Sequence, residues 1–229
     1  MFSILSAAIA PGFALLSFFY LKDRFDTEPI GMVVRMFVMG ALLVFPIMFI
    51  QYAFEVEGVA QDPILKSFFL AGGLEEFFKW FIFLYVIYKN AVFDAHYDGI
   101  VYGVSISLGF ATVENVLYLL ANGIDIAFLR AIFPVSSHAL FGVIMGYYIG
   151  KAKFFRKKQP YQLIVTALFI PILLHGSYDY VLTALNQYWA YILTPFMVCL
   201  WFYALRKVKL ANQVPRPYLV PTNKDQKEA

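Results

Sequence analysis

The sequence predicts an all-α polytopic membrane helix bundle of about seven transmembrane helices, and three observations carry that prediction. Of 229 residues, 61% are hydrophobic and 14% charged, with a mean hydropathy of +0.69. An ordinary soluble domain is roughly 45–50% apolar and 25% charged. Seven stretches approach the roughly 20 apolar residues that a helix needs to cross the hydrocarbon core: 3–21, 30–53, 67–88, 99–121, 131–150, 162–183 and 189–206. Period-two alternation is absent, and helices satisfy their own backbone in lipid, so a membrane barrel is excluded. The one cysteine, Cys199, gives no disulfide scaffold, and a net charge of +3 predicts no nucleic-acid partner.

The first span contains Ala8-Ile9-Ala10, a small-residue pattern like a signal cleavage site. No basic residue precedes it and the apolar run continues to Leu21, so it reads as a retained helix. Asp26-Thr27-Glu28-Pro29 then marks a helix start, with Pro29 close to the first turn of the second span. The acidic stretch Glu55–Asp62 separates the second span from the third. In the third, Gly72-Gly73 lies one turn before Glu75-Glu76 and leaves room for water or another backbone. His96-Tyr97-Asp98-Gly99 opens the fourth span, with Asp98 read as its N-cap. Gly99 and Gly103 there, and Gly142, Gly146 and Gly150 in the fifth span, have the small-xxx-small spacing of close helix contact. Pro134, Ser136 and Ser137 let the fifth span start loosely before His138. The sixth and seventh spans complete a domain over 1–206, and 207–229 reads as a flexible polar tail with Pro215, Pro217 and Pro221.

The 18 Lys and Arg residues orient these spans. Lys22, Arg24 and Arg35 flank the first connection, and Lys89 lies in the third. Lys151, Lys153, Arg156, Lys157 and Lys158 fill the fifth, and Arg206, Lys207, Lys209, Arg216, Lys224 and Lys227 lie at or beyond the end of the last span. Lys66 and Arg130 are the only basic residues of the second and fourth connections, and the sixth has none. A plasma-membrane protein with an extracytoplasmic N-terminus and a cytoplasmic C-terminus follows.

Seven ionisable groups fall inside spans: Glu75, Glu76, Lys79, Glu114, His138, His175 and Asp179. A charge at the bilayer centre costs about 2.5–3.5 kcal/mol on insertion scales. An interhelical clasp explains any one pair, but not seven groups. Counted from the outer ends of four antiparallel helices, both glutamates of the third span, Glu114, His138 and His175 fall on one level, roughly 10–13 Å deep. Asp179 lies one turn nearer the outer surface. Glu75 and Lys79 share a helix face at i,i+4, as do His175 and Asp179, while Glu76 points about 100° away from Glu75. Asn115 beside Glu114 adds an amide.

Carboxylates and imidazoles without a cysteine or a placed serine suit activation of a water molecule. A glutamate takes the water's proton, and the imidazoles stabilise an oxyanion or protonate a leaving group. The set also has the ligand types of a zinc site, but HExxH is absent. Base, acid and the Lys79 charge are already present, so the expectation is no cofactor, with zinc as the alternative.

Glu75-Glu76-Phe77-Phe78-Lys79-Trp80, Phe110-Ala111-Thr112-Val113-Glu114-Asn115, Ser137-His138-Ala139 and His175-Gly176-Ser177-Tyr178-Asp179 occur in this order. Together with the two helix-start motifs they closely resemble the PrsW family, Bacillus-type intramembrane proteases related to type II CAAX prenyl endopeptidases and bacteriocin-immunity proteins. The resemblance runs from the N-terminus to about Arg206. It implies site-1 cleavage of a membrane-anchored anti-sigma-W factor on its extracytoplasmic side, in response to antimicrobial peptides or envelope stress. It also implies that Glu75, Glu76 and His175 are essential and that Glu114, His138 and Asp179 fill the remaining polar motifs. Two departures point away from a prenylated substrate. Lys79 stands four places after Glu75, where the wider group carries Arg at five, and Asp179 stands where prenyl endopeptidases often have Asn.

Three rival readings remain: a prenyl-protein endopeptidase, a proton-coupled transporter and a non-catalytic scaffold. A relay would step ionisable groups through several depths, whereas these share one. The His96 and Asp26 motifs lie on the opposite side and read as structural.

Overall fold

The computed structural model describes residues 1–24, 27–154 and 160–213. Asp26, the basic run Arg156–Lys158 and the proline-containing tail lie outside the described residues. The elements are α1 (Phe2–Leu21), α2 (Ile30–Val56), a single turn α3 (Pro63–Leu65), α4 (Gly72–Val86), α5 (Asp98–Asn122), α6 (Ala127–Arg130), α7 (Ser136–Phe154), α8 (Pro160–Ala184) and α9 (Trp189–Ala211). Two π-helical segments, Lys66–Ala71 and Ala131–Val135, join α3 to α4 and α6 to α7. No strand occurs among the described residues.

Six helices are individually long and apolar enough to cross a membrane, not seven. The exception is the third expected span, which is realised as the interrupted helical segment Pro63–Val86. Its entry is fixed by Asp62, whose carboxylate accepts from the Ile64 and Leu65 N–H groups, with Pro63 in the first helical position. The π segment then consumes a turn, and α4 keeps only 15 residues. The last helix continues five residues past its expected end, to Ala211.

Asp98 is not an N-cap. It is the first residue of α5, and its Oδ2 accepts from the Asp94 and Ala95 N–H groups at 2.8 and 2.6 Å, so it closes the loop before the helix.

The core is built on α5 and α7. Every residue of α5 from Asp98 to Thr112 is buried, as is every residue of α7 from Ser136 to Tyr147. A helix covered on all sides must be surrounded by other helices, and α1, α2, α4, α8 and α9 supply that ring. Glycines set the central contact: a Cβ at Gly103 would sit 3.1 Å from Gly146 Cα. The doubled small-residue spacing therefore does what it predicts, bringing two backbones together. Outer surfaces are apolar, with Phe49 71% and Phe202 74% exposed. Such faces fit lipid, not water.

Candidate active site

Each π segment ends at the start of a helix that carries polar groups inward. Glu75 and Glu76 lie in the first two turns of α4, directly after Lys66–Ala71, and His138 lies in the first turn of α7, directly after Ala131–Val135. Pro134 lies within the second segment and offers no N–H to a regular α ladder. π insertions of this kind often accompany functional sites because they redirect side chains. Gly72 lets α4 begin against α8: a Cβ there would lie 2.9 Å from the Gly176 nitrogen. That approach places the Glu pair beside His175.

All six sequence-predicted site residues meet, with Lys79 among them. The Lys79 ammonium is fully buried and donates to Glu76 Oε1 at 2.8 Å and to Glu75 Oε2 at 3.4 Å. It also lies 3.2 Å from His138 Nδ1 and 4.2 Å from the centre of the Phe110 ring. His175 pairs with Glu76 Oε1 through Nδ1 at 3.0 Å and faces Asp179 Oδ2 through Nε2 at 3.3 Å. Its ring stacks on Phe141 at 5.2 Å, which fixes its plane. The other ring nitrogen of His138, Nε2, lies 3.3 Å from Glu114 Oε2. The two imidazole rings are 4.9 Å apart and perpendicular.

Glu75, Glu76, His138 and His175 each offer one ligand atom, and these atoms all lie within 4.8 Å of one another. Glu76 Oε2 is buried without a hydrogen-bond partner. An orphaned carboxylate oxygen among imidazoles is the donor set of a metal site, so the residues fit a metal ion.

A cavity of about 290 Å³ between α2, α4 and α5 is lined by Glu75 and Glu114 together with Met48, Gln51, Leu117 and Tyr118. Glu76, His138 and His175 lie behind it. Glu75 is thus the member of the metal-type group that reaches the cavity, and Glu114 is the other carboxylate there.

Two residues of this neighbourhood escape sequence reasoning. Gln51 Nε2 donates to the Leu70 carbonyl in the π segment at 3.0 Å and to Glu75 Oε1 at 3.3 Å. Arg130 donates through Nε to Asn115 Oδ1 at 2.7 Å, lies 3.9 Å from Glu114 Oε2 and stacks on Tyr118 at 3.8 Å. The available signals were a lone amide in an apolar span and the single Arg of a short connection whose other charge is Asp125. Asn115 is not a free polar group, because its Nδ2 donates to the Ala8 carbonyl at 2.9 Å and its oxygen holds Arg130. His96 stays apart, pairing with the Tyr147 carbonyl at 2.9 Å. Burial pushes its imidazole down to about 4, consistent with a neutral structural ring.

The description "PrsW family intramembrane metalloprotease" matches residues 28–205. The chain belongs to the PrsW family. It is 57% identical over 214 residues to the Protease PrsW of Bacillus subtilis, covering 93% of this chain and 98% of that one. It is 55% identical to the Protease PrsW of Geobacillus kaustophilus over 226 residues, covering 99% and 100% of the two chains. The Protease PrsW of Clostridioides difficile is 33% identical over 205 residues, 85% of this chain and 86% of that one. No solved structure matches. The chain is therefore a multi-pass membrane protease of the PrsW family. The family's description as a metalloprotease, with the four-residue ligand group, makes a metal possible here and leaves the metal-free expectation unsupported.

Proposed function

We propose that this PrsW-family protein hydrolyses a peptide bond of a single-span anti-sigma factor near the extracytoplasmic face, with Glu75 as the general base. The observation that carries this reading is the position of Glu75, at the floor of the cavity and in contact with the buried set behind it. A substrate segment enters between α2 and α5, where Met48 and Leu117 offer apolar walls and Gln51 an amide.

Glu75 takes a proton from water, and the resulting hydroxide bonds to the scissile carbonyl carbon. The carbon–nitrogen bond then breaks, and the proton passes to the departing amine nitrogen. Lys79 offsets the charge of the paired carboxylates throughout. His175, braced by Glu76 and Asp179, keeps its plane, and His138 stands between Lys79 and Glu114. In this reading the imidazoles stabilise the developing oxyanion or protonate the leaving group.

Glu76, His138 and His175 would hold a zinc ion. When bound, the ion acts as a Lewis acid and lowers the pKa of coordinated water. Glu75, facing the cavity, keeps the role of base.

With Pro63–Val86 counted as a crossing, seven crossings leave the termini on opposite sides, and the basic-residue distribution then supports an N-terminus outside and a C-terminus in the cytoplasm. The cavity then opens toward the outer side, where envelope stress or antimicrobial peptides act. The test is incubation of the detergent-purified protein with a membrane-anchored anti-sigma factor, wild type against Glu76→Gln, with mass spectrometry of the fragments. A wild-type-specific cut near the outer end of the substrate span supports the reading. Absence of such a cut, or one on the cytoplasmic side, contradicts it.

A further inference from the structure

Away from the catalytic cavity, α1 and α9 end together and enclose a second polar space. A cavity of about 350 Å³ there is lined by Lys22, Arg24, Lys209 and Asn212, with Leu205 and Val208 as its apolar floor. None of its described lining residues is acidic. The two helix ends are interlocked: the Arg24 N–H donates to Asn212 Oδ1 at 3.1 Å, and Asn212 Nδ2 donates to the Lys22 carbonyl at 3.1 Å. Three cations are thus gathered at one end of the bundle, in a cavity that no described acidic side chain lines.

Leu205 also belongs to a second cavity of about 420 Å³ that runs along α9 past Met197, Trp201 and Phe202 to Phe133 in the π segment before α7. Apart from Thr194 and the Trp201 ring nitrogen, its lining offers no polar side chain, and that nitrogen is held by Ser136 Oγ at 3.0 Å. The eleven residue steps from Thr194 to Leu205 rise about 16 Å. One leaflet of a hydrocarbon core is about 15 Å, half of roughly 30 Å.

We infer that these joined cavities bind one anionic phospholipid, its phosphate between Lys22, Arg24 and Lys209 and one acyl chain in the groove along α9. The charge of the head cavity selects an anionic group. The continuous apolar groove selects a lipid over a free phosphate or a nucleotide, neither of which would cover Trp201 and Phe202. Basic pockets between transmembrane helices are established sites for anionic head groups. The chain would bridge α1, α9 and the segment Ala131–Val135, which leads into His138.

The experiment is native mass spectrometry of the detergent-purified full chain with equimolar phosphatidylglycerol and phosphatidylcholine. Wild type is expected to retain phosphatidylglycerol preferentially, with the preference falling as salt rises. Lys22→Gln, Arg24→Gln and Lys209→Gln each remove about fivefold of that preference, and the triple variant on the order of 100-fold. All three side chains are exposed, and an unchanged melting temperature in phosphatidylcholine micelles verifies the fold. Leu205→Trp keeps the cations but blocks the groove, so it is expected to lower lipid retention. Equal retention of both lipids by wild type, or an undiminished preference in the triple variant, overturns the inference. So does displacement by millimolar inorganic phosphate together with wild-type retention in Leu205→Trp, which would make the site one for free phosphate.

Discussion

His175 Nδ1 lies 3.0 Å from Glu76 Oε1, joining two helices across 99 residues of sequence. The same carboxylate oxygen accepts from Lys79 at 2.8 Å, whereas Oε2 is buried and unpartnered. Glu76 is therefore anchored by one oxygen and open at the other. Glu75 instead shares its two oxygens between Gln51 and Lys79 and borders the cavity. Neighbours in sequence thus have different surroundings.

The two glutamates are expected to fail differently. Glu75→Gln should lower the cleavage rate by on the order of 10³-fold, with an unchanged melting temperature. Glu76→Gln should abolish cleavage and also lower the melting temperature, because it removes the main anionic partner of buried Lys79. Single-turnover cleavage combined with thermal unfolding in detergent separates the two outcomes.

Metal content is expected to follow the buried group and not the cavity-facing carboxylate. Elemental analysis should find zinc in wild type and in Glu75→Gln, and a loss of zinc in Glu76→Gln and His138→Ala. Zinc at wild-type levels in the latter two variants would place the ion elsewhere.

Lys79→Met should be destabilised by about 3–5 kcal/mol, the usual consequence of stripping the partner from a buried ion pair. Lys79 is fully buried and faces two carboxylates, so solvent does not replace it. Chemical unfolding in detergent measures this directly.

Arg130 touches the site through Glu114 and Asn115. Arg130→Gln is expected to slow turnover about 10-fold, in the range found for groups that orient reactive residues. Paired with Glu114→Gln, its effect should not add, because both changes remove the same contact. A full additive loss in the double variant would show that Arg130 works independently.

At the opposite end of the bundle, Glu28 is 3% exposed and takes a hydrogen bond from the Tyr102 hydroxyl. Burial first, and then the charge of nearby Asp98, push its carboxyl up to about 9 from an ordinary 4.5. A raised folded-state value means that folding favours the protonated acid. Its contribution is complete below pH 4.5 and is lost as pH rises through about 9. Wild-type melting temperature should therefore fall between pH 5 and 9 more steeply than that of Glu28→Gln. Equal slopes would remove Glu28 as the titrating group.

Helix positions and the shared level of the polar groups were legible because both rest on short-range regularities. Apolar runs report spans, and counting from alternating ends brings Glu114, His138 and His175 to one depth. The interruptions were not legible. Pro134 signals a loose start to the fifth span but not a π segment, and Lys66–Ala71 is as helix-compatible as its neighbours, distinguished by packing such as Gln51 holding the Leu70 carbonyl. Asp98 misled for a related reason. A carboxylate at a helix start can serve the N–H groups ahead of it or those behind, and only the conformation of Asp94–Ala95 decides. Arg130 stands in a connection by sequence, yet the turn of α6 folds it back over Tyr118.

The proposed role of Glu75 is to activate water at the cavity between α2, α4 and α5. The most direct measurement is cleavage of a co-reconstituted anti-sigma factor in ¹⁸O-labelled water by wild type and Glu75→Gln, read by mass spectrometry. Wild type should place one ¹⁸O in the new C-terminal carboxylate, and Glu75→Gln should yield no product on the same timescale. Labelled product from Glu75→Gln at the wild-type rate would contradict the account.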